Sequence, residues 1–431
     1  MTGIEIAFLV LSFVLLLSLG VPITVSISLS ALLTLSINIL FVPSATTIAQ
    51  RMINGLDSFT LLAIPFFILA GQIMNTGGIA ARLIAFAKEI VGPIRGGLLF
   101  VNIISCTLFG AISGSAAAAA SAIGSILTGK MEKEGYDKGF TTATNVTSAT
   151  TGLLIPPSNV LIVYSLAAGG LSIGALFVAG YLPGLLLSIA IMLVSYVYAV
   201  RKKYPKGEKW NSKALWKSFL SAFPGLLLLF IVMGGIVAGY FTATEASAIA
   251  VLYTLILSAI YKELTKSNLQ KILIQSSITT SIVLLLVATS SAMSWIMSYG
   301  DLPQSISSSL LAITDNPIAV LILINVFLLV VGIFMDITPA ILIFTPIFLP
   351  VVQSFGINPI HFGIIMVLNL CIGLCTPPVG NLLFVGASVA NISFQKILRP
   401  MLPLYAIMLL VLMLVMLFPQ ISLWLPQLFG M

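Results

Sequence analysis

The sequence predicts an all-α integral membrane protein made of two inverted repeats, with about ten transmembrane helices and two re-entrant hairpins. Three observations carry this reading. The 431-residue chain is 59% hydrophobic and only 7% charged. Its apolar runs of about twenty residues follow one another from end to end, which suits bilayer-spanning helices and leaves no soluble domain of any size. Residues 110–173 recur without a gap 221 positions later, so that Gly135, Val146, Gly152, Leu153, Pro156, Pro157, Leu161 and Ser172 fall on Gly356, Val367, Gly373, Leu374, Pro377, Pro378, Leu382 and Ser393. The basic residues between apolar runs alternate in opposite phase in the two copies, as they do when one copy is upside down.

Taken in order, the first run, Ile4 to Leu19, lacks a positive n-region and an A-x-A site and reads as a retained span, not a signal peptide. Residues 1–200 form the first repeat, with Arg82, Lys88 and Arg95 marking one basic loop and Lys130, Lys133 and Lys138 another. Arg201 to Lys217 holds seven of the nineteen Lys and Arg residues, together with Pro205 and Gly207, and is a cytoplasmic linker. Residues 218–431 form the second repeat. There the equivalents of the two basic loops, 301–315 and 351–360, have no Lys or Arg, whereas Lys262, Lys266, Lys271, Lys396 and Arg399 mark loops whose first-half equivalents hold Arg51 alone or nothing.

With the basic loops cytoplasmic, the first half crosses at 4–20, 23–42, 59–78, 140–168 and 180–200. An odd number of crossings inverts the next copy and puts both termini in the periplasm. The stretch 96–129 starts and ends on the cytoplasmic side but is short for two spans of ~20 residues and a turn, so it is a hairpin. Its expected tip is Ser113-Gly114-Ser115; the equivalent hairpin, 318–350, is expected to turn at Met335-Asp336-Ile337-Thr338.

Each repeat also contains a broken helix, over 140–168 and 360–385, whose centres read GLLIPPSN and GLCTPPVGN. A double proline breaks a helix twice, because each ring removes a donor and crowds the preceding turn. Paired interruptions in two membrane halves mark the binding site of a secondary transporter. Unwound backbone survives inside a bilayer only where protein, water or an ion satisfies it. A hairpin tip facing such a break offers carbonyls and hydroxyls to a small cation, and helix N-termini to an anion. The first candidate cation site is Ser113 and Ser115 with the backbone from Gly152 to Pro157, Ile155 included; the second is Asp336 and Thr338 with Gly332, Gly373 and Thr376. The competing structural roles are capping, for which Thr338-Pro339 is a good N-cap and first-turn pair, and turn orientation by Asp336 in a wet cavity. A carboxylate near mid-bilayer costs ~2.5–3.5 kcal/mol and is otherwise a functional candidate.

Other features carry less. Cys106, Cys371 and Cys375 lie in apolar segments and read as packing residues. The +7 net charge sits in short loops and indicates membrane orientation, not nucleic acid. Thr242-Ala243-Thr244-Glu245 is a capping box. Gly124 to Lys130 imitates a phosphate-binding loop, but Met131 stands where the Mg²⁺-binding hydroxyl belongs, which speaks against ATP hydrolysis. His361 is the sole histidine, so no metalloprotease ligand set exists, and no nucleophile with a base is visible; the chain does not read as an enzyme. The pairs Gly110/Gly114, Gly170/Gly174 and Gly235/Gly239 suggest close helix packing.

Across nearly its whole length the chain resembles the large membrane subunit of tripartite ATP-independent periplasmic (TRAP) transporters. The resemblance rests on Gly20-Val21-Pro22, Ser113-Gly114-Ser115, Pro156-Pro157-Ser158, Gly239 to Ala246, Asp336 to Pro339 and Thr376-Pro377-Pro378-Val379-Gly380-Asn381. It implies a Na⁺-driven importer of organic acids, such as sialic acid or C4-dicarboxylates, in a bacterial inner membrane. It further implies a small membrane partner subunit, a soluble periplasmic binding protein that delivers the substrate, and an elevator movement of hairpins and broken helices against a scaffold. Carried over by position, the two residue sets above resemble two Na⁺ sites, and Asn159, Asn381 and Ser158, beside the breaks, are candidate substrate contacts. The alternatives are a stand-alone Na⁺/dicarboxylate symporter and a passive channel.

Overall fold

The computed structural model describes residues 3–207 and 210–431. The first half comprises α1 (Gly3–Ser18), α2 (Ile23–Leu35), α3 (Phe41–Leu56), a 3₁₀ turn (Phe59–Leu62), α4 (Ala63–Thr76), α5 (Ile79–Val91), α6 (Gly97–Ser113), α7 (Ala116–Lys133), α8 (Lys138–Thr151), α9 (Asn159–Ala167) and α10 (Ile173–Arg201). The second comprises α11 (Ser212–Val237), α12 (Ala243–Ile260), α13 (Lys266–Tyr299), α14 (Leu302–Ile313), α15 (Pro317–Phe334), α16 (Ile337–Ser354), α17 (Pro359–Gly373), α18 (Asn381–Ala390), α19 (Gln395–Leu417) and α20 (Gln420–Leu428). The order repeats over more of the chain than the sequence match suggests. α1 and α2 correspond to α11 and α12, α3 plus α4 to the single long α13, α5 to α14, and each later first-half helix through α10 to one through α19. α20 has no first-half counterpart.

The halves interlock reciprocally. α4 packs on α12 as α2 packs on α13, and α7 packs on α18 as α16 packs on α9. α8 also meets α17, and α10 meets α19. The Cys371 thiol lies 3.6 Å from the carbonyl of Thr150, its own equivalent 221 residues earlier. Contacts that exchange partners, with equivalents meeting at the centre, are those of an approximate two-fold axis.

Several expectations about element boundaries need correction. Eight helices among the described residues are long and apolar enough to cross a membrane, and they include both legs of the second hairpin, Pro317–Phe334 and Ile337–Ser354. Length and apolarity therefore do not reproduce ten spans and two hairpins, since α1 and α2 have only 16 and 13 residues, or about 24 and 20 Å of rise. The basic segment 82–95 is largely the amphipathic helix α5, and 301–315 is largely α14, not loops. Residues 41–56 are α3, so the span expected over 23–42 ends at Leu35. Lys130 and Lys133 lie in the last turn of α7, where the helix dipole favours cations. In the linker, Arg201 belongs to α10, and Lys213 and Lys217 to α11; Glu208 and Lys209 lie outside the described residues. The rest of the linker docks on the α5–α6 turn: Gly96 N donates to Pro205 O at 3.1 Å, and Trp210 Nε1 to Ile90 O at 3.0 Å. The Asp137 amide donates to the Tyr204 hydroxyl at 2.8 Å, and burial pushes that phenol up to about 12, so it stays neutral.

The capping box forms, with Thr242 Oγ1 accepting from Glu245 N at 3.2 Å and Glu245 Oε2 from Thr242 N at 2.8 Å. The phosphate-loop look-alike lies inside α7. Of the Gly-x-x-x-Gly pairs, Gly110, Gly174 and Gly235 pack closely, against Gly152, Ile236 and Phe241, whereas Gly114, Gly170 and Gly239 are positive-φ residues at helix ends. Glycine suits these positions because they lack the clash an L side chain meets there.

Candidate functional site

Both hairpins turn in two residues. In the first, Gly114 takes a left-handed φ of +62° to close α6, and Ser115 caps α7 by accepting from Ala118 N at 3.3 Å. In the second, Met335 and Asp336 are both extended, and Asp336 Oδ1 accepts from Ile337 N at 2.7 Å. Asp336, not Thr338, is therefore the N-cap; Thr338 is the second residue of α16 and Ile337 the first, so the turn is shorter than expected. The carboxylate can cap because it replaces a hydroxyl at the position of Ser115, and both residue types accept from first-turn amides.

Each hairpin crosses its broken helix at a pair of glycines. A Cβ on Gly110 would stand 3.0 Å from the Cα of Gly152, and one on Gly332 would stand 3.0 Å from the Cα of Gly373. Backbone so close to backbone leaves no room for a side chain, which is what small residues permit between membrane helices. Beyond these crossings the helices unwind over 152–158 and 374–380, with Pro156-Pro157 and Pro377-Pro378 cis in both repeats.

The two tips and the two breaks meet at one cavity of about 800 Å³. Ser113, Ser115, Asp336, Thr338, Asn159 and Asn381 all line it. The first turns of α7, α9, α16 and α18 are among its walls, so four positive helix ends converge there. Asp336 is the only charged lining residue, open to the cavity while its Oδ1 caps α16. The two turn-orienting and cavity-facing roles therefore coincide in one side chain. Asn159 and Asn381, one position out of register in the sequence repeat, are each the first residue after a break. Asn159 Oδ1 is buried without a hydrogen-bond partner, and its amide nitrogen lies beneath Gly114.

The remaining candidates lie off the cavity. Ser158 is fully buried, caps α9 through Leu161 N and donates to Leu153 O across the break. Ile155 packs its side chain on Gly184 of α10, and Pro157 is buried. Gly152, Gly332 and Gly373 form the crossings, and Thr376 Oγ1 donates to Ile372 O at 2.8 Å. The opposite wall, which the sequence reading missed, presents Gln72 and Asn75 from α4 and Gln275 and Thr279 from α13. Gln72 and Asn75 stand three apart in an apolar helix and so share one face, a signal that was available.

A helical membrane fold whose two facing hairpins and two broken helices converge on one cavity suits a permease, and the family match assigns that class and not an enzyme. The chain belongs to the family described as tripartite ATP-independent periplasmic transporter, DctM component, whose profile matches residues 10–421. It is similar to the uncharacterized protein YgiK of Salmonella typhimurium, 55% identical over 97% of this chain and 96% of that one. It is 42% identical to the sialic acid TRAP transporter large permease protein SiaM of Vibrio cholerae, over 88% of this chain and 89% of that one. It is 41% identical to the C4-dicarboxylate TRAP transporter large permease protein DctM of Pseudomonas aeruginosa, over 94% and 95%. Among solved structures, the YdaH transporter of Alcanivorax borkumensis shares the fold with a TM-score of 0.66 at 12% identity, over 91% of this chain and 90% of that one. The chain is a multi-pass protein of the inner membrane.

Proposed function

We propose that this chain is the membrane permease of a Na⁺-coupled importer of organic acids, working with a small membrane subunit and a periplasmic binding protein that delivers the substrate. The observation that carries the reading is the convergence of four helix N-termini, two hydroxyl- or carboxylate-bearing tips and two unwound breaks on one cavity without a basic side chain. Helix N-termini attract a carboxylate, while tip oxygens and freed carbonyls suit a small hard cation. Relatives named for sialic acid and for C4-dicarboxylates are about equally similar, so both acids are candidate substrates. The ion sets are Ser113 and Ser115 with the 152–157 backbone, and Asp336 and Thr338 with Gly332, Gly373 and Thr376; the tip residues line the cavity, and the crossing and break residues stand behind it.

In this reading the halves are inverted. Two hairpins whose tips meet at one cavity cannot both be full crossings from opposite faces, which supports re-entrance despite their apolar legs. The cavity extends to Pro22–Thr24, Asn75 and Gln275, residues that lie toward the basic ends of their helices in the sequence, which supports a cytoplasmic mouth and a release state. Hairpins and broken helices move as a block against a scaffold that includes α4 and α13. Cysteine labelling in intact cells, with the three native cysteines replaced, should find 130–138 reactive only from the cytoplasm and 351–360 only from outside. Labelling of both from one side would end the inverted arrangement.

The direct test is uptake into proteoliposomes that hold the chain and its small subunit, with a loaded binding protein outside. Uptake should require Na⁺ and the binding protein and ignore ATP inside the vesicle. Ser115→Ala and Thr338→Ala should each raise the Na⁺ concentration for half-maximal uptake about tenfold, the cost of one charge-assisted contact. Wild-type values in both variants would leave the hydroxyls as structural groups only, and equal uptake without Na⁺ would revive a channel.

A further inference from the structure

One turn or two behind each glycine crossing lies a second, polar layer. Asn102 of α6 donates from Nδ2 to Asn145 Oδ1 of α8 at 3.2 Å, and Asn145 Nδ2 donates in turn to the carbonyl of Ala120 in α7 at 2.8 Å. One side chain on the broken helix thus holds both legs of the first hairpin. In the second repeat Asn369 of α17 donates from Nδ2 to Asn325 of α15, at 2.6 Å to Oδ1 and 2.9 Å to the backbone carbonyl. All four asparagines are buried, none more than 6% exposed. The pairs do not occupy positions equivalent at the 221-position offset, which sets Asn145 on Met366 and Asn102 on Leu323. A buried Asn–Asn bond between hairpin and broken helix therefore stands in both halves on shifted positions, reaching both hairpin legs in the first and α15 in the second.

We propose that the Asn102–Asn145 and Asn325–Asn369 pairs are positioning residues that set the separation between each hairpin tip and its helix break, and through it the affinity of each candidate cation site. This rests on the Na⁺-coupled reading above. A cation held by tip oxygens on one element and break carbonyls on another gains most when both half-shells are already in place; otherwise binding has to order them. The glycine crossings allow close approach but, having no side chains, leave the helices free to slide along each other. The asparagines fix that freedom: an amide bond in a buried, low-dielectric layer tolerates little displacement, because leaving its groups unpaired is costly. None of the four lines the cavity, so none is expected to touch substrate.

The test uses the full chain, purified in detergent, and needs neither substrate nor partner. Thermal unfolding is followed as NaCl replaces choline chloride at constant ionic strength. A bound ion raises the unfolding temperature by mass action, and the Na⁺ concentration at which the rise begins reports affinity. Asn145→Ala and Asn369→Ala should shift that concentration upward about tenfold. Asn102→Ala, which leaves the bond to Ala120 in place, should shift it less. Asn268→Ala, at the exposed start of α13, should leave it unchanged. A merely structural role would lower the unfolding temperature at every salt concentration without moving the Na⁺ dependence. That result, in a wild type that responds to Na⁺, overturns the positioning role alone; a wild type indifferent to Na⁺ overturns the coupled reading and this role with it. If Asn145→Ala does not accumulate, Asn369→Ala carries the comparison, and Asn102→Ala should still show a smaller upward shift.

Discussion

An inside-negative potential of about 100 mV, imposed with valinomycin and a K⁺ gradient, should raise the steady accumulation of a monocarboxylate sugar acid about fiftyfold in the three-component proteoliposomes. The expectation follows from charge counting at the cavity. In the proposed reading two cation sets flank a region where four helix ends would attract a carboxylate, and two Na⁺ ions with one monoanion leave a net charge of +1. Moving one elementary charge through 100 mV is worth ~2.3 kcal/mol, and ~1.4 kcal/mol is a factor of ten in an equilibrium. A C4-dicarboxylate carried with the same two ions is electroneutral and should not respond. The measurement thus separates the two substrate classes as well as testing the stoichiometry. Accumulation of the monoanion that ignores the potential would contradict coupling to two ions.

Gly152→Val and Gly373→Val should each deprive the protein of its folded state in detergent, with a loss of at least about 3 kcal/mol. Overpacking is usually relieved when a neighbouring side chain moves aside. Here the neighbour is backbone: a Cβ on Gly373 would lie 2.6 Å from the Cα of Gly332, and one on Gly152 would meet Gly110 closer still. Relief would require separating the hairpin from the broken helix and so dismantling the cavity. Gly234→Ala is the control, since nothing lies within 4 Å of its Cβ position and alanine is the better helix former. Heating followed by size-exclusion chromatography gives the comparison. A Gly152→Val protein as heat-resistant as the wild type would show that these helices do not cross at this pair.

The legible parts of the fold were those with a local chemical cause. Double prolines have to interrupt a helix, and their recurrence in the sequence marks both breaks and, through the register of the repeat, both hairpin tips. The amphipathic helices were not legible, because their charges look like loop markers. Arg51 instead lies 4.5 Å from the ring centroid of Trp295, and Arg82 lies 3.5 Å from that of Tyr261 while donating to Gly78 O at 2.7 Å. The hairpin legs are ambiguous for the opposite reason: α15 and α16 are as apolar as spans, and the proposal of re-entrance rests on the meeting of their tip with Ser113–Ser115 at the cavity. The cavity's far wall and the asparagine pairs join residues far apart in the chain, a relation that no short-range pattern records. Ser158 is next to a break along the chain but buried away from the cavity, a separation that adjacency in sequence does not reveal.

Helix α8 has a consequence for how the molecule comes into being. From Gly139 to Thr151 every residue is buried, although the run FTTATNVTSATT is rich in hydroxyls and carries Asn145. All of those hydroxyls but that of Thr144 turn back on their own helix, Thr147 to Ala143 O and Ser148 to Thr144 O among them, and the cover is supplied by α6, α7, α10, α17, α18 and α19. Three of those six helices are synthesised only after the linker, toward the end of the chain. A segment this polar has little affinity of its own for hydrocarbon. The nascent first half therefore emerges from the ribosome with an unfinished centre, and biogenesis of either half is contingent on the other.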